Sequence, residues 1–409
     1  MPRLPGGEVT VLGLTQLIGW GTTFYIPAVL AHVMAADVGW SLPQVFGAFS
    51  WSLLVAGLVS RKIGRAIDHH GARFVMSLGS IGIGIGLLML AGAQHWAMLF
   101  AAWTVLGVAT RAAQYDSAFA AIAAILGSGA RRAISMITLW GGLASTVFWP
   151  VGHALGESLG WRWTIVIYAL LNLLVCLPLH LALPRTRNAP ASPQQMPAQP
   201  QPAASAIGVG TPQPDTGRID ERARERAMLV FAFVLAGYSF VFSALSAHLI
   251  VLLEGLGLAA AVAVGLSSIK GIAQVAARFL EMIGQRWLGP IAIGVIALAS
   301  LAASMVMLIL MPPDPLLLAL ATIVYGAANG LTTIVRGAVP LALFGHAGFG
   351  GTLGKIAAPG LITAAIAPLA IAAIIDLGGA RMALELLTLI ALAGLAGMIW
   401  LARTGLASR

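Results

Sequence analysis

Charged side chains are scarce in this sequence. Asp, Glu, Lys and Arg make up 9% of its 409 residues, where a soluble domain carries about a quarter. So little charge, with 59% hydrophobic residues and a mean hydropathy of +0.92, excludes an ordinary water-facing surface and describes a polytopic membrane protein. Cysteine occurs once, at Cys176, which excludes an internal disulfide. The eight histidines form no HxxxH pair and have no cysteine set beside them, so no metal site is expected. HExxH and Walker sequences are lacking, and no enzyme signature is read; no cofactor is implied. One run, Gly79-Ser80-Ile81-Gly82-Ile83-Gly84-Ile85-Gly86, imitates a nucleotide loop. It sits inside an apolar segment with no strand before it, where glycines serve close helix packing. The N-terminus does not read as a cleavable leader either, because the apolar stretch it enters is too long for one.

What the sequence has in quantity is apolar segments near the ~20 residues that cross a bilayer. Twelve are read: 9–35, 44–63, 74–93, 96–126, 133–156, 162–183, 227–253, 259–280, 289–311, 316–343, 354–375 and 381–402. The expected fold is all-α and polytopic, with twelve transmembrane helices in two six-helix halves related by a parallel repeat. Residues 184–226 form the long non-apolar stretch, in which prolines alternate with Ala, Gln and Ser. It reads as a disordered linker dividing an N-terminal half, 1–183, from a C-terminal half, 227–409. The charged run at its end, 220–226, reads as a short interfacial helix.

Lys and Arg fix an orientation. With the N-terminus in the cytosol, 18 of the 23 lie on the cytosolic side, Arg162 and Arg381 lie outside, and Arg111, Lys270 and Arg336 fall within spans. That bias obeys the positive-inside rule with both termini cytosolic. The net charge of +9 is therefore topological, and no nucleic-acid partner is expected. Trp161 and Trp163 read as residues of an interfacial aromatic belt.

The densest charge lies in Gly64-Arg65-Ala66-Ile67-Asp68-His69-His70-Gly71-Ala72-Arg73, between the second and third spans. A cognate lies 213 residues on, in 277–286: Arg65 corresponds to Arg278, Asp68 to Glu281, Gly71 to Gly284 and Arg73 to Arg286. An acid at such a turn can accept hydrogen bonds from the arginines or from a neighbouring helix N-terminus. A second correspondence aligns Gly107–Arg111 in the fourth span with Gly326–Gly330 in the tenth.

Several spans carry polar faces. The fourth holds Arg111 near mid-span, Tyr115 one turn on, and Asp116, which an unbroken helix sets about 140° round from Arg111. The eighth holds Ser267, Lys270 and Gln274 on one stripe. The tenth holds Tyr325, Asn329, Thr333 and Arg336. Two readings of Arg336 stand, cavity lining and snorkelling to the interface; Asn329 and Thr333 serve a ligand or hold helices together. The first span offers Gln16 and Trp20, and the seventh offers Tyr238 beside a serine stripe suited to packing. Charges at mid-membrane default to functional sites.

The loop GRAIDHHGAR resembles the one between helices 2 and 3 of the major facilitator superfamily, written G-x-L-x-D-x-x-G-R-[RK], with Ala72 where Arg is usual. The resemblance implies a secondary transporter in which two halves rock about a central site. It implies that helices 1, 4, 7 and 10 line the cavity and that Gly64, Arg65, Asp68, Gly71, Arg73 and their cognates Arg278, Glu281, Gly284 and Arg286 gate it. By that resemblance Gln16, Trp20, Arg111, Tyr115, Tyr238, Asn329 and Arg336 fall on cavity helices, with Lys270 and Gln274 beside them. The antiporter motif of helix 5 is not matched, since Trp149 precedes Pro150 where Gly is usual. Gly39-Trp40-Ser41 and the internal cations are similar to the monocarboxylate and oxalate/formate branch. Three span cations against Asp116 leave a positive interior whose natural partner is a small organic anion such as a carboxylate, with Asp116 a candidate for proton coupling. The alternative is a multidrug or metabolite exporter of the same family. The partners expected are that small molecule and the bilayer of a bacterial inner membrane, around a monomer.

The topology is testable in a Cys176-free background. Cysteines at His70, Ala130 and Ala203 are expected to label from the cytosol, and cysteines at Asp37, Glu157 and Asp314 from outside. Labelling of Ala203 from outside contradicts the assignment.

Overall fold

The computed structural model describes residues 6–185 and 221–404. Nearly all of these are helical, and no strand occurs among them. Nine helices among the described residues are long and apolar enough to cross a membrane, against twelve segments read from the sequence. The difference lies in the joints. Ala130–Ala182 and Phe349–Arg403 each run through two of the expected spans. Each is broken at one glycine, Gly160 (φ 79°) or Gly379 (φ 76°), because left-handed backbone is open to glycine and costly for residues with a Cβ. The remaining expected span is helical as well, over Ala260–Gly284.

Other spans are interrupted within themselves. The first is Gly6–Gly21 followed by Ile26–Val38, the fourth is Trp96–Ala113 followed by Tyr115–Leu126, and the fifth pauses between Gly142 and Ala144. The run 220–226 does not form a separate interfacial helix over the residues described. Glu221–Gly255 is one continuous helix, since Glu, Arg and Ala are good helix formers and Glu221 suits the first turn. Most of the expected linker, 184–226, falls outside the described residues.

The two halves repeat one another in their turns. Left-handed glycines recur 218 or 219 residues apart, Gly39 with Gly257, Gly127 with Gly345 and Gly160 with Gly379. They recur in their packing too. Lipid tails are as apolar as leucine, so spans associate by close approach of backbones. Gly107 of the fourth span lies on the Ser52 carbonyl of the second, and its counterpart Gly326 lies on the Lys270 carbonyl of the eighth. The nucleotide-loop mimic is such a seam: Gly79, Gly82 and Gly86 press the third span onto Ala113, Ala109 and Leu106 of the fourth.

The halves meet along a similar seam. Gly64 of the second span lies on the Gly350 carbonyl of the eleventh, and a Cβ on Gly354 would sit 2.6 Å from the Ser60 carbonyl. Large apolar side chains such as Leu58, Leu174, Leu369 and Leu377 face outward. Trp163 does so as well, but Trp161 is not a belt residue. It is buried and donates from Nε1 to Asp37 Oδ2 at 2.9 Å, which gives its ring nitrogen a partner inside the protein.

A side chain at Gly107 has nowhere to go. Gly107→Val is expected to destabilise the purified protein by about 1–3 kcal/mol through overpacking, read as a lower melting temperature in detergent. Gly47, with nothing within 4 Å of a Cβ, is the control, and Gly47→Ala is expected to leave melting unchanged or raise it.

Candidate functional site

The fourth span is not one helix. Gln114 is extended (φ −87°, ψ −166°) between its two segments. The carbonyls this break releases are taken locally: Ser117 Oγ donates to Arg111 O (3.0 Å), and Gln16 Nε2 donates to Ala113 O (2.9 Å). Gln114 itself donates to Thr23 Oγ1 (2.9 Å), tying the break to the break in the first span. The consequence is that Asp116 turns toward Arg111. The 140° separation expected from an unbroken helix is overturned, because the 100° step does not run through an extended residue.

Asp116 Oδ2 lies 2.8 Å from Arg111 Nη1, and the same oxygen accepts from Arg336 Nη2 of the tenth span. Arg336 does not snorkel; it reaches across to the other half. Arg111 also donates from Nε to Ser60 Oγ at 2.6 Å. The side chains of Arg111 and Asp116 are 5% and 3% exposed, whereas that of Arg336 is 27% exposed. Two guanidinium groups therefore share one carboxylate, and Arg336 is the member that solvent reaches.

A neutral network lies in the second half. Tyr238 donates to Asn329 Oδ1, and Asn329 Nδ2 donates to Gln274 Oε1 at 3.2 Å. Lys270 Nζ lies 5.8 Å from the centroid of Tyr325, a cation–π distance, and has no acidic partner among the described residues. In the first half Trp20 packs on Tyr115 (5.0 Å between centroids), and Tyr115 donates to Thr138 O at 3.3 Å. Lys270 and Gln274 thus adjoin the tenth span, whereas Gln16, Trp20 and Tyr115 gather around the break in the fourth.

The two loop acids make cross-half contacts of different kinds. Asp68 does not pair with the flanking arginines. Its Oδ1 and Oδ2 accept from Gly350 N (2.9 Å) and Gly351 N (2.6 Å), at the start of the eleventh span, where unpaired amides and the helix dipole favour an anion. Glu281 accepts from Ser135 Oγ at 2.7 Å and lies 3.5 Å from Arg131 Nη2, both on the fifth span. Arg278 donates to Thr138 O (2.7 Å) and Thr333 Oγ1 (3.1 Å). Arg65 is exposed, Arg73 reaches Leu183 O at 3.4 Å, and Arg286 stacks on Trp287. Gly71 makes the turn at φ 83°, but Gly284 ends its helix without positive φ. Among the described residues, these cross-half bonds lie in the parts of the spans nearest the chain termini, so that face is closed.

Ser60, Ser135 and Thr138 bear no sequence mark as partners of Arg111, Glu281 and Arg278. The pair Gly350-Gly351 is the exception, a glycine pair beginning an apolar span whose amides face Asp68.

The Major Facilitator Superfamily family model matches residues 11–336. No curated protein sequence matches the chain. Among solved structures, the human organic anion transporter MFSD10 (TETRAN) is similar with a TM-score of 0.70 and 19% identity, over 97% of this chain and 100% of that one. The proton:xylose symporter XylE, bound to 6-bromo-6-deoxy-D-glucose, is similar with a TM-score of 0.70 and 13% identity, over 97% and 95%. At such identities the likeness is one of fold.

The shared carboxylate sets a stability test. Asp116→Asn leaves two guanidinium groups without their counter-charge, so a loss of about 3–5 kcal/mol is expected. In a double-mutant cycle, adding Arg336→Gln to Asp116→Asn is expected to cost much less than Arg336→Gln alone. Additive losses in denaturant melts contradict the coupling.

Proposed function

Since the chain belongs to the Major Facilitator Superfamily, a family of transporters and not of enzymes, we propose that it is a secondary active transporter that moves a small organic anion, a carboxylate, by alternating access. The observation that carries the proposal is the charge balance of the interior. Arg111 and Arg336 share the single carboxylate of Asp116, and Lys270 has no acidic partner among the described residues. Unbalanced cations in low dielectric are costly, and a mobile anion offsets that cost. A guanidinium offers carboxylate a two-pronged fork, and an ammonium offers a point charge. Tyr115, Tyr238, Gln274, Asn329, Gln16 and Trp20 supply hydrogen bonds and walls.

The fold alone does not choose a substrate, because it is shared by an organic anion transporter and a sugar symporter. The cation excess favours the anion and, within the family, the monocarboxylate and oxalate/formate branch over multidrug efflux. Asp116 is the proposed coupling group. Once protonated it no longer balances Arg336, which is then free for the substrate. Asp68 and Glu281 are the proposed latches, residues 1–183 and 227–409 the two moving halves, and the closed face the cytosolic one. The protein is proposed to act as a monomer in a bacterial inner membrane.

Thermal shift of the purified protein against carboxylates, sugars and cationic drugs tests the reading. A true ligand at a hundredfold excess over its dissociation constant stabilises by about 2.7 kcal/mol. A carboxylate is expected to do so, and Arg111→Gln and Lys270→Gln are expected to lose the shift. Stabilisation by a sugar or a cation and by no carboxylate overturns the proposal.

A further inference from the structure

Arg278 sits outside the charge balance just described. It is 3% exposed and has no carboxylate within ion-pair reach among the described residues. Its fork rests on neutral acceptors, the Thr138 carbonyl and the Thr333 hydroxyl, and its Nε is buried without a partner. Glu281, one turn along the same span, is occupied by Ser135 and Arg131. A buried guanidinium held by neutral groups is poorly compensated. A latch alone does not call for one, since neutral donors bridge helices as well.

The seat is nevertheless built for it. A Cβ on Gly142 would collide with Arg278 Nη1, and one on Gly141 would collide with the Tyr115 hydroxyl. The glycine pair lets both groups converge on one acceptor, Thr138 O, at 2.7 and 3.3 Å. Ownership of the seat matters most. Thr138, Gly141, Gly142 and Tyr115 belong to the first half; Arg278 and Thr333 belong to the second. When the halves part on the terminal face, Arg278 loses the carbonyl and the glycine seat but keeps Thr333. That residue lies about 16 Å along the tenth span from Phe344, at 1.5 Å per residue. It also lies one turn from Arg336, and its hydroxyl donates to Asn329 O at 3.0 Å. The freed fork therefore opens beside the residues proposed to hold the anion.

We propose that Arg278 is a second, state-dependent anion-binding residue: sealed against the fifth span while the terminal face is closed, it receives the anion from Arg336 when that face opens. This rests on the anion reading above and adds a ligand on the side of the terminal face. The competing outcome is that Glu281, released from Ser135 and Arg131, turns on its own helix and neutralises Arg278.

An arginine-specific dicarbonyl, phenylglyoxal, separates these outcomes with peptide mass spectrometry as the readout. The protein is opened from the other seam, between the second and eleventh spans, which does not include Arg278. Gly64→Ala places a methyl against the Gly350 carbonyl, and Asp68→Asn weakens the grip on the Gly350 and Gly351 amides; either variant suffices if the other fails to fold. Arg278 is expected to be unreactive in the wild type and to react about tenfold faster in the opened variant, the change expected when a minor state becomes the major one. A mixture of acetate, lactate, oxalate, succinate and benzoate is expected to protect it. No gain in reactivity, or a gain with no protection, overturns the proposal. The peptide carrying Arg336, followed in the same digest, distinguishes the two failures. Protection of Arg336 without Arg278 leaves the anion reading standing, and protection of neither removes both.

Discussion

One carboxylate answering two guanidinium groups is the contact on which the interior depends. Asp116 holds Arg111 of its own half at 2.8 Å and Arg336 of the other. A buried ion pair adds little net stability over an apolar pair, but losing one partner is severe, because the charge left behind has no water. The triad therefore acts less as glue than as a register: it fixes how the halves meet while leaving a residual positive charge. On the proposed reading, that residual charge is what would select the substrate, since a negative group entering beside Arg336 is favoured.

The closed face around the triad is made of contacts that can be undone. Gly64 and Gly354 bring the second and eleventh spans together at backbone distance, so the seam is held by dispersion and order, without long side chains to disentangle. Asp68 adds a charge-assisted cap on the eleventh span, and Glu281 adds its own contact with the fifth. The two acids are cognate in sequence but not in chemistry. One takes backbone amides at a helix start; the other takes a hydroxyl and a guanidinium. The halves are thus joined on two sides by bonds of different strength, with the triad between them.

Much of this was legible in the sequence, for identifiable reasons. Hydropathy marks spans because crossing the hydrocarbon core takes about 20 predominantly apolar residues, and the positions of Arg111, Lys270 and Arg336 stand out because charge is so rare. The repeated loop pointed to Asp68 and Glu281. What was not legible depends on contacts distant in sequence or on backbone breaks. The amides that bind Asp68 are 282 and 283 residues away. The extended backbone at Gln114 has no proline or glycine to announce it, and it alone moves Asp116 onto Arg111. From sequence alone Arg336 reads equally well as a snorkelling residue, because what decides against that is its partner on another helix. Nothing in the sequence sets Gly160 and Gly379 apart from the other glycines; their positive φ lets two spans follow one another with almost no loop.

If the arginines serve a mobile anion, Asp116 is its internal competitor, and removing that charge while keeping its shape has a definite sign. The affinity of purified Asp116→Asn for carboxylates, measured by calorimetry beside the wild type, tests this most directly. The account predicts tighter binding in the variant, because the substrate no longer shares Arg111 and Arg336 with a fixed carboxylate. Unchanged or weaker binding in a folded variant contradicts it.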